Sequence, residues 1–593
     1  MAEQQQAGLA AGAALAERTG ETAEAFVEAL VAHGVDCLFL NPGTDTFPVQ
    51  EALAKCAALG RPAPRTVLCL FEVVALAAAH GYYAATGRPQ AVMVHVDVGT
   101  QNLGGMLHCA QRGHAAVLIC AGRAPYTTDP ALRGHRDGYI HWLQEQMDQH
   151  GIVRNYVKWD YELRRPEQVG EVVARALQIA ASDPPGPVYL TLPRENLMQT
   201  VPEGGAPAAG GGRPQTAPPA RLGAGDPDAL REVALRLVES ERPLVLTGAS
   251  GRTAAGFHAL VRLAELLALP VVESRNRVNF PADHPLHQGY EAGPLLEQAD
   301  LVLVLDQDVP YIPTRVAPAP DATVIQIDVD PVKERIPLWS FPLTQAIRAD
   351  SARALDLLAE YAAPLVDEAA RRRIAARRAA CEARHREQRS TWAEAARRAE
   401  QETPIAPVWL AHCLGELARE TPNALFVDET VTNSGVLWQQ APANEPGRWF
   451  VSGGSGLGWG LGAALGVRLA NPDRPVIAMV GDGSFVFGEP LAAFWAAQQQ
   501  RAPFMAVIFN NACYNATKRP LVAAYPEGYS VARDAFIGID LAPAPRYDLL
   551  AQAVGAHGER VEDPAQVLPA LRRGLERLRA GQAAIVDVQL ARP

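Results

Sequence analysis

An apolar run, Val476–Val480, ends in Gly481-Asp482-Gly483-Ser484, and a second, Phe504–Phe509, ends in Asn510-Asn511. Asp482 and Asn511 offer a carboxylate oxygen and an amide oxygen. These are hard ligands, suited to Mg2+ held together with a diphosphate rather than in an all-protein cage. Gly481 and Gly483 let a phosphate come close to the backbone, and the following helix would present its positive end. Taken alone, GDGS is an ordinary strand-to-helix turn. The order strand, GDGS, helix, strand, NN is more specific, because one strand–helix–strand unit of a parallel sheet sets two strand ends side by side.

Two residues in the amino-terminal half could do proton chemistry. Glu72 follows the apolar run Thr66–Phe71 and precedes VVALAAAHGYYAATGRP. A carboxylate there is commonly a helix-start charge, or else a proton-handling group. His95, in VHVDVGTQN, stands at the end of a run predicted as a strand, where histidine is either a structural hydrogen-bonder or an acid–base group.

Short β-rich runs alternate with longer helical stretches, the pattern of parallel sheets covered on both faces. Predicted strands include 35–40, 66–71, 91–96 and 116–121, then 243–247, 271–273, 301–305 and 323–327, then 424–427, 476–480, 504–509 and 584–588. The fold class read from this is α/β, with three doubly wound parallel-sheet domains. The expected boundaries are 21–195, a Pro/Gly/Ala linker at 202–226, 227–360, a helical connector at 361–403 that reads as a solvated charged helix, and 404–593. At roughly 150 residues per domain, 593 residues fit that division. A net charge of −11 argues against nucleic-acid and membrane-surface binding. The eight cysteines form no CxxC pair and read as buried hydrophobes of a reducing compartment. Residues 1–20 lack the basic start of a signal peptide, and no apolar run is long enough to span a membrane, so a cytoplasmic location is expected.

The GDG…NN motif resembles that of the thiamine diphosphate enzymes of the acetolactate synthase, benzoylformate decarboxylase and 2-hydroxyacyl-CoA lyase superfamily, over about Glu21–Val588. The resemblance implies pyrimidine-binding, middle and diphosphate-binding domains, in that order. It implies thiamine diphosphate and Mg2+, with Asp482, the Asn511 side chain and the Cys513 backbone carbonyl as metal ligands. Gly481, Gly483 and Ser484 would border the diphosphate. Ser452–Gly466 looks like the family's Gly-rich segment, with Gly456 beside the cofactor and Leu457 propping it into its bent form. Asp428–Trp438 puts Thr432 near phosphate. Glu72 matches the glutamate that bonds the cofactor's pyrimidine nitrogen. Asn41-Pro42-Gly43-Thr44 and His95 match an active-site loop and histidine of benzoylformate decarboxylase, with Thr44 in place of a serine. Gln144 or Gln146 lies where some members carry a glutamine near the thiazolium, and Gln146 is taken as the candidate. A second histidine of benzoylformate decarboxylase has no counterpart in Asp306–Pro313, which puts benzoylformate as substrate in doubt.

The resemblance further implies active sites shared between chains, hence a homodimer or homotetramer acting on a small molecule. Asn510–Tyr529 lacks a tryptophan that acetolactate synthases carry. With Glu489 and Tyr514 bordering the pocket, it looks more like the 2-hydroxyacyl-CoA lyase branch, and a lyase of that type is the expected activity. The alternatives are a 2-oxo acid decarboxylase, an acetolactate synthase-like carboligase, and a non-catalytic binding or regulatory homologue. ADP, CoA or FAD in the middle domain is as open as an empty site there.

Overall fold

The computed structural model describes residues 20–200 and 218–593. The amino-terminal tail to residue 19 and linker residues 202–217 lie outside them. The described residues form three wholly parallel sheets. In the first, β1 (Cys37–Leu40), β2 (Arg65–Leu68), β3 (Gln90–Val94), β4 (Val117–Arg123), β5 (Asp160–Glu162) and β6 (Val188–Pro193) lie in the order β2-β1-β3-β4-β6-β5. The second orders β7 (Pro243–Thr247), β8 (Val271–Glu273), β9 (Leu301–Leu305), β10 (Thr323–Asp328) and β11 (Gln345–Arg348) as β11-β10-β9-β7-β8. The third contains β12 (Leu425–Glu429), β13 (Trp449–Phe450), β14 (Val476–Gly481), β15 (Met505–Asn510), β16 (His557–Val561) and β17 (Ala584–Gln589), ordered β13-β12-β14-β15-β17-β16. It repeats the connectivity of the first sheet strand for strand. Central strands such as LVLVL and MAVIFN are buried along their whole length, as expected when helices cover both faces.

The chain divides into two compact units. The first holds the amino-terminal sheet to Ala220, with Ser452–Pro472 and Val486–Ala502; the second holds Arg221–Val451, Asp473–Phe485 and Pro503–Pro593. Thus helix Trp459–Ala470, from the third α/β segment, belongs to the first unit. Its partner is helix Glu72–Thr86, and glycines set the crossing. A Cβ at Gly81 would strike the Ala463 backbone, and one at Gly466 the Ala78 carbonyl. Trp459 Nε1 donates to His80 Nδ1 across the crossing at 3.0 Å. This close packing fixes the helix whose first residue is Glu72.

Three local expectations shift. β2 stops at Leu68, three residues short of Glu72, and β3 stops at Val94, so His95 caps helix Val96–Asn102. The helix expected after GDGS is broken into Asp482–Phe487 and Pro490–Gln499, with Glu489 at φ 48° between them. The connector helix runs Glu368–Arg398, and its inward face is not solvated: Cys381 and His385 are buried. Among the described residues no helix is long and apolar enough to cross a membrane.

Candidate active site

In the first unit, the carboxyl ends of β1 and β3 and the start of helix Glu72–Thr86 gather a cluster of titratable side chains. Glu72 is buried at 6% exposure, and its Oε2 accepts from Asn102 Nδ2 at 3.3 Å. Gly99 separates Glu72 from His95: a Cβ there would lie 3.1 Å from Glu72 Oε1 and 3.5 Å from His95 Cβ. His95 Nδ1 is bonded to Asp45 Oδ1, and Asp45 Oδ2 accepts the Val96 N–H at 3.2 Å. Asp45 is 1% exposed. The Asp45 hydrogen bond and charge, with a further hydrogen bond to the Gln144 side-chain oxygen, raise the pKa of His95 above its ordinary value, against the effect of burial. Two glycines make room for the pair: a Cβ at Gly43 would overlap the His95 ring, and one at Gly122 would overlap the Asp45 carboxylate.

Gln144 is buried and reaches His95, whereas Gln146 is exposed and joins nothing in the cluster. Of the two glutamines it is therefore Gln144, not Gln146, that lies beside His95, because the turn after helix Ile140–Leu143 points Gln144 inward. The Thr44 side chain is also exposed, and its backbone carbonyl accepts from Arg194 at 3.3 Å. Beside His95 stands Asp45, one residue further along.

In the second unit, β14 and β15 pair with Gly481 opposite Phe509, so Asp482 and Asn511 lie side by side just past the strand ends. Asp482 Oδ1 accepts the Gly483 N–H at 2.9 Å. Burial nevertheless raises its pKa, and Oδ2 is buried with no partner among the described residues. Asn511 Oδ1 accepts the Cys513 N–H at 3.0 Å, and the Cys513 carbonyl accepts the Asn515 N–H at 2.8 Å. Each of these oxygens keeps a second lone pair. Tyr514 lies over Gly483, where a Cβ would come within 2.6 Å of its ring. Ser484 is buried in the turn that follows.

β12 neighbours β14 and delivers Thr432, whose Oγ1 accepts from Asn515 Nδ2 at 3.4 Å. Asp428 organises this segment, accepting from Thr430 N–H and Oγ1, Ser434 Oγ and Trp438 Nε1 at 2.7–2.9 Å. Three non-glycine residues at positive φ flank the candidates: Val96 (26°) beside His95, Val431 (53°) beside Thr432, and Ala512 (49°) between Asn511 and Cys513. For β-branched valine such geometry is costly, and strain of this kind gathers at functional sites.

The Gly-rich segment lies in the first unit, pressed against helix Gly105–Arg112. Cys109 Sγ bonds the Gly456 carbonyl at 3.2 Å, and a Cβ at Gly456 would strike Gly105. Leu457 is half-buried, not core. Glu489 is exposed at the break between the two helices.

These residues fit Mg2+ and a diphosphate. An unpaired, buried carboxylate oxygen beside two oxygen donors is a site in want of a cation. The Asp428-ordered hydroxyl segment and Gly483 bound its sides. Asp45, Asn102 and Asp428 were not singled out from the sequence: Asp428 lies inside β12, and Asn102 ends the helix that follows β3.

Comparisons with known proteins agree. Residues 20–152 match the family model of the thiamine pyrophosphate enzyme N-terminal TPP binding domain, 230–358 the central domain, and 430–588 the C-terminal TPP binding domain. The chain is 29% identical to a benzoylformate decarboxylase of Pseudomonas aeruginosa over 506 residues, 83% of this chain and 86% of that one. It is 27% identical to a sulfoacetaldehyde acetyltransferase of Rhodobacter capsulatus, covering 95% of this chain and 93% of the relative. The solved Rhodococcus jostii thiamine diphosphate-dependent 4-hydroxybenzoylformate decarboxylase has the same fold, with a TM-score of 0.76 at 23% identity over 97% of this chain and 100% of that one. The three-sheet architecture and the amino-terminal, central and carboxyl-terminal matches agree: this chain belongs to the thiamine pyrophosphate enzyme family.

Proposed function

We propose that the protein is a thiamine diphosphate- and Mg2+-dependent 2-oxo acid decarboxylase. The observation that carries this reading is the half-buried His95 between the buried carboxyl groups of Glu72 and Asp45, with its pKa raised by Asp45. The benzoylformate decarboxylase relative supports it over the 2-hydroxyacyl-CoA lyase expected from Asn510–Tyr529, and that expectation gives way to the alternative stated with it. Membership in an enzyme family, with Glu72, Asp482 and Asn511 all present, disfavours a non-catalytic role.

When bound, thiamine diphosphate supplies a carbon nucleophile that stores the electron pair left as CO2 departs. Asp482, Asn511 and the Cys513 carbonyl would hold the metal, with Thr432 beside the diphosphate. Glu72 would share its proton with the pyrimidine nitrogen, and Asn102 orients its carboxyl group. His95, whose pKa Asp45 raises, would attract the substrate carboxylate and could give a proton to the carbon from which CO2 has left, on the way to the aldehyde. A homodimer or homotetramer with sites between chains follows from the family resemblance and is part of the proposal.

The test is a panel of aliphatic, aromatic and basic 2-oxo acids, scored for CO2 and aldehyde by mass spectrometry, beside 2-hydroxyacyl-CoAs. Turnover of at least one 2-oxo acid is expected, with loss of ~10²-fold or more in Glu72→Gln at retained cofactor binding. Turnover of acyl-CoAs alone would refute the proposal.

A further inference from the structure

Arg194 is a buried cation, 3% exposed, that none of this chemistry uses. It directly follows β6, which pairs with β4 so that Leu192 lies opposite Gly122. Gly122 is the residue that leaves room for the Asp45 carboxylate. The Arg194 side chain thus starts close to the strand pair against which Asp45 rests.

Its guanidinium group reaches the chain on both sides of Asp45. Nη1 donates to the Thr44 carbonyl at 3.3 Å, and the group lies over the Phe47 ring, 5.7 Å from its centroid. The rest of the group fastens a second stretch. Nε donates to the Gly134 carbonyl at 2.8 Å, and Nη2 donates to the His135 carbonyl and to Asp137 Oδ1, the latter at 2.7 Å. Gly134 lies directly against the backbone here, since a Cβ on it would come within 2.9 Å of Glu195 Cα. From Asp137 the chain runs through helix Ile140–Leu143 to Gln144.

The two stretches carry the two side chains that hydrogen-bond His95, namely Asp45 and Gln144. One planar fork joins them, with donors aimed in several fixed directions, which the point charge of a lysine cannot reproduce. Burying a cation is costly, and an apolar side chain of similar volume is often no worse for stability. The charge compensation here is thin. The one carboxylate bonded to Arg194 among the described residues, Asp137, is 61% exposed, and burial together with the Arg194 charge pushes the pKa of the adjacent His141 down. What the guanidinium supplies is therefore geometry.

We propose that Arg194 is a positioning residue, which holds Asp45 and Gln144 in register against His95. The proposal rests on the reading of His95 as the acid–base group of the site.

The test is the titration of His95, followed by its imidazole proton resonances against pH, in Arg194→Lys, Arg194→Gln and Phe47→Ala. The charged groups that face His95 are Asp45, Glu72 and Asp97, and all are kept in these variants. Loss of a positive neighbour alone would move the His95 titration to higher pH. Loss of positioning moves it to lower pH, and that is expected in both Arg194 variants, the lysine included. Phe47→Ala, at a position 41% exposed, removes one contact of the bracket without charge and keeps the fold. It is expected to move the titration the same way by less. Turnover of a 2-oxo acid accepted by the unaltered chain should fall ~10–100-fold in the Arg194 variants, with the pH–rate profile displaced toward acid. Circular dichroism checks that each variant is folded. His95 titrating as in the unaltered chain, or at higher pH, in the folded Arg194 variants overturns the proposal. The same result in Phe47→Ala overturns it if neither Arg194 variant folds. An unaltered chain that turns over no 2-oxo acid would overturn the proposed function, and the titration would still decide the role of Arg194.

Discussion

The Asp45 carboxylate grips His95 at Nδ1 with one oxygen and the N–H of the next residue, Val96, with the other. One buried side chain thereby sets the tautomer, the charge and the backbone turn of the histidine. The first prediction follows. Asp45→Asn removes the charge that raises His95's pKa, so His95 should titrate lower, as read from its imidazole proton resonances against pH. A group with a raised folded pKa contributes stability that is full below its unfolded pKa and lost as pH rises through the folded one. The stability gap between the parent and the variant should therefore be widest in mild acid and narrow above neutrality. Decarboxylation should fall ~10–100-fold, with the pH–rate profile displaced toward acid. A profile of unchanged shape would assign Asp45 a purely structural role.

Gly122 is where this pair meets the sheet. A Cβ there would overlap the Asp45 carboxylate, which its bonds to His95 and the Val96 N–H hold in place. Gly122→Ala is expected to cost roughly 1–3 kcal/mol in stability and to reproduce the displaced pH profile of Asp45→Asn. The double variant should be no worse in its pH profile than either single one. Independent, additive shifts would mean that the two residues do not act through one contact.

Much of this site is legible in the sequence where a residue's neighbours are its chain neighbours. Asp482 and Asn511 follow apolar strands, and parallel pairing of β14 with β15 sets them together by geometry alone. Asp45 is not legible in that way. Its partner is fifty residues off, and the choice between Thr44 and Asp45 rests on how the loop after β1 turns, which Gly43 and Gly122 decide by leaving space. Gln144 and Gln146 differ by one inward turn after a four-residue helix, beyond what periodicity resolves. Five strands also escape notice: β5, β11, β13 and β16 are short or edge elements, and β6 is an apolar core strand directly after Pro184, Pro185 and Pro187.

Asp482 is costly until a cation arrives. Its carboxylate is buried, one oxygen has no partner among the described residues, and its pKa is raised. In metal-free protein, Asp482→Asn should melt no lower than the parent at pH 8, because it removes a desolvated charge. Adding Mg2+ with thiamine diphosphate should raise the melting temperature of the parent alone. Thermal unfolding by circular dichroism, with and without chelator, reads both halves. A variant stabilised by Mg2+ as much as the parent would remove Asp482 from the ligand set.

Behind the proposed metal loop, Asp587 Oδ1 accepts from Asn510 Nδ2 at 2.9 Å, and its other oxygen is buried with no partner among the described residues. Burial pushes its pKa up to about 6. Because the folded value exceeds the unfolded one, the fold is favoured by the protonated acid. That advantage is full below pH ~4 and disappears as pH rises through about 6. Asp587→Asn keeps an oxygen for Asn510 while removing the titration. It should match the parent's stability near pH 4 and exceed it by up to about 3 kcal/mol at pH 7–8, discounted for whatever relaxation admits water to the carboxylate. Urea unfolding across pH 4–8 measures the difference. A gap that stays constant with pH would mean that Asp587 titrates in the folded chain as it does in the unfolded one. The Asn510–Asp587 bond would then be held by a fully charged carboxylate.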